Sequence, residues 1–132
     1  MALSWTAITE DIIVQEGNQA YNYKASGTIK KGQLVRPIDT MEVYISPTIA
    51  DTGVVGVAAY DVTDNELLAV WGPGNIVRCR SSGAINVGES VIVNSLVGHV
   101  GVSKKAVIPS GAKVGIALET VVTDKTVRIL LT

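Results

Sequence analysis

One pattern occurs twice in this chain and constrains the fold more than any other feature of the sequence. The pattern Ile-x-x-Gly-x-x-Val occupies residues 29–35 and returns at residues 85–91. Each copy is followed by a second pattern, Val-Gly-Val/Ile-Ala, at residues 55–58 and 114–117. The same two patterns in the same order predict two similar units in tandem. The alternative is coincidence, because small β proteins often place glycine before a strand.

The four glycines of these patterns have two different predicted roles. Gly32 and Gly88 precede a strand, where a tight turn favours the positive φ that glycine adopts without strain. Gly56 and Gly115 lie inside a strand, where the missing side chain lets a neighbouring backbone approach closely. We therefore predict that all four are structural glycines.

The apolar composition favours β structure. Val, Ile and Thr together make up 44 of the 132 residues, whereas Leu accounts for only 8 and Phe is absent. β-branched side chains suit a pleated surface, so we predict an all-β fold, a small β-barrel or sandwich of short strands with two similar tandem units. Nine short segments bounded by turn residues are the predicted strands: residues 20–24, 33–38, 53–60, 66–71, 75–80, 90–94, 99–103, 113–121 and 126–131.

Charge and hydropathy limit the classes of partner. The chain has 11 basic and 12 acidic residues and a formal net charge of −1, so it lacks the clustered basic residues that bind nucleic acid. No apolar run reaches the roughly 18 residues that a membrane-spanning helix needs. The first residues do not resemble a secretory signal, and the single Cys79 cannot form an internal disulfide. We expect synthesis in a cytoplasm.

Residue types that carry catalysis or bind metals are scarce. The only histidine, His99, and the only cysteine, Cys79, both lie in predicted strands, and a four-ligand zinc site would need further ligands. Asp61, Asp64 and Glu66 lack the spacing and central glycine of a calcium-binding EF-hand loop, and we expect them in an exposed hairpin turn. We predict no enzyme activity, no cofactor and no metal.

The first 19 residues carry apolar side chains before the first predicted strand. An apolar segment with a tryptophan is unfavourable as a disordered tail in water. Either it folds back as an additional strand, or it leaves the domain as an arm that pairs with another subunit. We predict an N-terminal arm over residues 1–19 and a single β domain over residues 20–132. The candidate contact residues of the arm are Leu3, Trp5, Ile8 and Ile12.

The order of these motifs resembles a viral protein family. The chain is similar to the capsid decoration, or cement, proteins of tailed viruses, the small Gly- and Val-rich family once mislabelled as recombinase-like. The resemblance spans nearly the whole chain, but residues 61–74 depart from the family pattern, and a central Gly-rich tract with aromatic residues is missing. The motifs that carry the resemblance are the entry from Tyr23 through Ile29, Gly32 and Val35, and residues 55–58, 71–77, 85–91, 114–118 and 126–131.

The resemblance implies a structural role in a virion. Such a protein binds the outer surface of an icosahedral capsid and stabilises it. Its partners are the major capsid protein and further copies of itself, as a homotrimer at threefold or quasi-threefold positions. The implied location is the exterior of the capsid, after synthesis in the host cytoplasm.

A second class of function stays open from the residues alone. A free-standing β-barrel module that binds carbohydrate or protein would use aromatic side chains as a stacking surface. The candidates for this surface are Trp5, Tyr21, Tyr23, Tyr44, Tyr60 and Trp71.

Overall fold

The computed structural model describes residues 5, 7–45, 55–96, 99–104 and 113–132. These residues contain strands and no helix, so the predicted all-β fold is confirmed. Each of the nine predicted segments contains a strand, and β1 and β4 are additional. The strands are β1 (Ile13–Gln15), β2 (Tyr21–Ala25), β3 (Leu34–Asp39), β4 (Glu42–Ile45), β5 (Gly56–Ala58), β6 (Leu67–Trp71), β7 (Ile76–Arg80), β8 (Ser90–Leu96), β9 (His99–Lys104), β10 (Lys113–Ala117) and β11 (Thr126–Leu131).

The first half of the chain forms a closed five-stranded barrel, which we call the first barrel. Its strand order is β2-β4-β3-β5-β6. β2 pairs in parallel with β4, and the other four pairs are antiparallel. The buried side chains inside it are Ala25, Ile29, Val35, Val43, Ala58, Val62, Leu68 and Val70.

The second half repeats this topology. Strands β7, β8, β9, β10 and β11 make the same antiparallel pairs as β2, β3, β4, β5 and β6. A parallel bridge between Ser81 and Val102 brings β7 to β9, where the first barrel has its parallel β2–β4 pair. We call this unit the second barrel. Its sheet includes one additional strand, β1, at the edge next to β7.

Equivalent residues confirm the tandem units in detail. The loop after β2 and the loop after β7 are each fixed by one antiparallel bridge. The backbone N–H of Gly32 donates to Ala58, and the N–H of Gly88 donates to Ala117, so the turn before the strand has the same bond in both barrels. The two bridges join Ile29 to Val62 and Ile85 to Val121.

The glycines have the roles that the sequence predicts. Gly32 and Gly88 lie in turns with φ of 91° and 87°, where other residues are strained. In the strands, a Cβ at Gly56 would overlap the carbonyl oxygen of Trp71, and a Cβ at Gly115 would overlap the carbonyl oxygen of Leu130. The close approach of a neighbouring backbone is therefore confirmed in both barrels.

The two barrels pack against each other through the outer face of the first. Successive side chains of a strand point to opposite faces. Val35 and Ala58 therefore point into the first barrel, while the adjacent Leu34 and Val57 point out. Leu34 and Val57 belong to the same buried cluster as the core of the second barrel. The expected single β domain thus contains two cores that share a boundary.

We predict that Gly115→Ala lowers the free energy of unfolding by about 1–3 kcal/mol, the usual cost of overpacking. The added methyl would meet the Leu130 carbonyl oxygen and Cγ2 of Ile129, 2.8 Å away. Chemical denaturation measures the effect. The matched control is Gly83→Ala, since nothing lies within 4 Å of that position. Equal stability of the two variants would contradict the close packing at Gly115.

Candidate functional site

The N-terminal segment folds onto the second barrel. We call residues 7–18 the strap. Its strand β1 pairs antiparallel with β7, with Ile13 opposite Val77, and the backbone N–H of Arg78 donates to the carbonyl oxygen of Ile12. The side chains of Ile8 and Ile12 end against Gly32 of the first barrel. The strap therefore contacts both barrels.

Two arginine side chains of β7 donate hydrogen bonds to the backbone of the strap. Nη1 of Arg78 donates to the carbonyl oxygen of Asp11 at 2.6 Å, and Nη2 of Arg80 donates to that of Ala7 at 2.9 Å. Arg78 also lies 3.6 Å from the Glu10 carboxylate. Because Arg80 is buried, its charged bond to the backbone contributes more than the exposed ion pair does.

A buried asparagine fixes the end of the strap. Oδ1 of Asn75 accepts hydrogen bonds from the backbone N–H groups of Gly17 and Asn18, at 2.8 and 2.9 Å. Its Nδ2 donates to the carbonyl oxygen of Gly72 at 2.9 Å. Since Asn75 is completely buried, these bonds satisfy polar atoms that would otherwise be costly.

These contacts correct the prediction of a free arm over residues 1–19 for the part that the structure describes, residues 7–18. Ile8 and Ile12 are 3% and 2% exposed, because they fill the space between the two barrels. Neither side chain is available to a capsid in the folded chain. Trp5 is half-buried against the same cluster, and Leu3 lies outside the described residues. The alternative, a segment that folds back as a strand, describes the strap.

We predict that Ile12→Ala lowers the free energy of unfolding by about 2–5 kcal/mol, because it leaves a cavity between the barrels. The matched control is Val14→Ala, two residues further along the strap, where the side chain is 37% exposed, with an expected cost below about 1 kcal/mol. Chemical denaturation compares the two variants. Equal costs would mean that the strap is not packed as described.

The aromatic side chains do not form one surface. Tyr21 begins β2, whereas the ring of Tyr44 lies at Gly27, beyond the other end of that strand, and the strand itself spans about 13 Å at the usual rise per residue. The hydroxyl of Tyr60 donates to the carbonyl oxygen of Leu67 and accepts from Ala69, so it caps β6. The remaining candidates are partly buried against the two cores: Trp5, Tyr23 and Trp71.

A cleft of about 390 Å³ lies beside the start of the strap. Its volume falls within the range of small-molecule sites. The Asp61 carboxylate at its wall accepts a hydrogen bond from the backbone of Lys31 at 2.7 Å, so part of its polar capacity is already used within the chain. The residues that line it are Trp5, Ala7, Ile8, Lys30, Lys31 and Asp61.

The acidic residues of the 61–66 segment cap backbone groups. Oδ1 of Asp64 accepts from the N–H of Gly27 at 2.7 Å. The backbone N–H of Thr63, and secondly its hydroxyl, donate to Glu66 and hold the pKa of that carboxyl below its usual value. Asp61 and Asp64 thus bind the loop between β2 and β3, at Lys31 and Gly27, whereas Glu66 binds within its own turn. Among the described residues, no three His, Cys, Asp or Glu side chains gather into a metal site.

Cys79 has the structural role that its strand position predicts. The thiol is completely buried in β7, and burial raises its pKa from the usual 9.0 to about 12. A raised pKa keeps the thiol neutral, so its contribution to stability is complete below about pH 9 and is lost as the pH rises towards 12. His99 begins β9, and its side chain lies outside the described part of the chain.

We predict that Cys79 of the folded chain reacts at about pH 8 with a thiol reagent at least about a hundredfold more slowly than in denaturant. The reason is that only the thiolate reacts and the site excludes both charge and reagent. Spectrophotometric titration with an aromatic disulfide measures both rates. Rapid labelling of the native chain would contradict the burial.

Among the side chains that the structure describes, six of the ten large exposed apolar residues lie on the first barrel and its loops. Large exposed apolar residues are a signal of interaction when they lie close together. Six of them belong to this barrel: Tyr21, Ile38, Met41, Tyr44, Tyr60 and Leu67. Within the described ranges, no helix is long and apolar enough to cross a membrane. These six side chains give the first barrel exposed apolar area at separate positions, near both ends of β2 and in the 60–67 turn.

The fold consists of a closed five-stranded barrel and a second, six-stranded sheet with the same pairing order, and a solved structure shares it. The chain is similar to the crystal structure of the head fiber gp8.5 N base in bacteriophage phi29, with a TM-score of 0.63 and 15% sequence identity. The match covers 86% of this chain and 92% of that chain. No protein-family model matches the chain, and no curated protein matches it at a significant level. The likeness is one of fold.

Proposed function

We propose that this chain is a structural protein of a virion, which binds the outside of an icosahedral capsid and stabilises it. The observation that carries the proposal is the shared fold with the base of a phage head fiber, over most of both chains. The independent resemblance of the sequence motifs to capsid decoration proteins supports the same class. The proposed partner is the major capsid protein, and the proposed location is the capsid exterior.

The first barrel is the proposed side for capsid contact. Its exposed apolar side chains offer contact area without a requirement for charge, and the chain has a net charge of only −1. The strap is not part of this surface, because its isoleucines are buried within the chain. Capsid contact is thus assigned to a preformed barrel rather than to a flexible arm.

The proposed assembly is a trimer at threefold or quasi-threefold positions. Three chains around an axis require heterologous contacts that close a ring. A trimer that holds several shell subunits acts multivalently, so contacts that are weak singly add up to tight attachment. This summation is the physical basis of the proposed stabilisation.

The carbohydrate-binding alternative is less well supported. A stacking surface needs aromatic faces that converge, whereas Tyr21 is the first residue of β2, the ring of Tyr44 lies at Gly27 after its other end, and Tyr60 is hydrogen-bonded to β6. No observation on the described residues favours this function over capsid binding.

We predict that the purified chain binds particles of the virus that encodes it. Particles stripped of the chain are mixed with it, and sedimentation with single-particle electron microscopy locates added density on the outer surface at threefold positions. Light scattering gives the mass of the free chain, expected at three times 13.8 kDa or at 13.8 kDa if trimers form only on shells. Decorated particles survive a higher temperature than stripped ones.

The controls are stripped particles alone and the chain alone. No binding to intact particles, or density confined to the inside of the shell, would overturn the proposal.

A further inference from the structure

The two barrels differ at one equivalent edge. On β7, the side that faces β9 is covered in part by the strap, and the N–H of Arg78 donates to the carbonyl oxygen of Ile12 there. Asn22 of β2 is the equivalent of Arg78, since Ser26 and Ser82 donate in the same way to Val43 and Val102. The structure therefore shows which part of β2 corresponds to the strap-binding edge.

The corresponding edge of β2 has no strand against it among the described residues. The N–H groups of Lys24 and Ser26 point towards β4, where they donate to Met41 and Val43. Alternate residues of a strand direct their backbone groups to the same side, so the N–H and C=O of Asn22 face this way too. The β4 pairing begins only at Lys24, opposite Glu42. Residues Tyr21–Tyr23 lie before the start of the β4 pairing. We call the side of this segment that faces away from β6 the β2 edge.

Side chains at the β7 edge are more buried than their equivalents at the β2 edge. This difference is expected if the strap covers only the β7 edge. Val77, next to Arg78, is completely buried beneath the strap, whereas its equivalent Tyr21 is 62% exposed. Cys79 is also completely buried, while its equivalent Tyr23 is only partly buried. Tyr21 is thus exposed, and Tyr23 only partly covered, where the second barrel has fully buried apolar residues.

We infer that the β2 edge binds an extended segment of a shell subunit, antiparallel to β2, as the strap binds β7. This inference rests on the proposed capsid binding and names the contact that makes it. The strap shows which chemistry fits: main-chain hydrogen bonds to alternate backbone groups, with β-branched apolar side chains beside them. Arg78 contacts the acidic strap residue Glu10, whereas Asn22 is neutral, so the segment at β2 needs no acidic residue.

A second copy of this chain is a poor occupant of the β2 edge. The segment that would bind is its own strap, and releasing the strap would expose Ile8 and Ile12 and break its bonds to Asn75. A segment of the proposed shell partner would bind without the release of the strap. It is therefore the occupant that the contacts favour.

The test compares Asn22→Pro with Asn22→Ala. Proline removes the outward N–H and places its ring in the path of the incoming strand, and it is tolerated where the N–H of a strand faces out. Alanine keeps the N–H. In a sedimentation titration with stripped particles, Asn22→Pro binds about tenfold more weakly than Asn22→Ala, as the loss of about one net hydrogen bond predicts. Thermal denaturation of both variants checks that the barrel is intact.

Hydrogen exchange supplies a second measurement on the unmodified chain. In the free chain the Asn22 amide exchanges rapidly, while the Arg78 amide is protected by the strap. On particles, the Asn22 amide becomes protected. If wild-type chain binds particles, but Asn22→Pro binds as tightly as Asn22→Ala and the Asn22 amide stays unprotected, the β2 edge is not the contact and capsid binding stands.

Two other outcomes also overturn the inference. Protection of Asn22 that rises with concentration in the free chain would identify a second copy as the occupant. Failure of the wild-type chain to bind particles would overturn the capsid proposal and this inference together.

Discussion

The side of β7 that faces β9 is the constraint on which the rest of the structure depends, because β9 alone does not pair with all of it. A barrel leaves no free edge only when each of its strands is paired on both sides. β11 pairs with one side of β7, but β9 reaches the other side only at Ser81. The strap covers the remainder, and it places Ile8 and Ile12 against Gly32 of the first barrel. The closure of the second barrel and the attachment of the two barrels therefore depend on the same segment.

The turns and the repeat could be predicted because glycine leaves a local signal. Gly32 and Gly88 indicate turns with a positive φ. Gly56 and Gly115 indicate strand positions where the backbone of a neighbouring strand approaches closely. β4 left no such signal, because the turn before it places Met41 at a positive φ of 54° without glycine or asparagine. The turn is stabilised by its surroundings rather than by its residue type.

The fate of the N-terminal segment could not be predicted, and the reason is physical. An apolar, β-branched segment loses the same solvent contact whether it pairs with its own chain or with another. What decides between the two is the partner edge, formed by Asn75, Arg78 and Arg80, more than 50 residues away. In the sequence all three fall within the predicted strand over residues 75–80, and no pattern marks them as partners of the N-terminal segment. Their bonds to the strap backbone exist only once β7 is folded beneath it.

The repeat explains why the chain can cover the edge of one barrel with its own strap and leave the equivalent edge of the other barrel for the proposed partner. Both barrels use the same pairings and the same glycine turns, so each has its own ladder of hydrogen bonds. The first barrel is closed by its parallel β2–β4 pair and holds its core without a strap. It can therefore leave Tyr21 in water without loss of its fold, whereas the second barrel would expose Val77 if the strap were lost. The strap-bound unit thus holds the chain together, and the first barrel keeps the β2 edge where we propose the contact with a shell subunit.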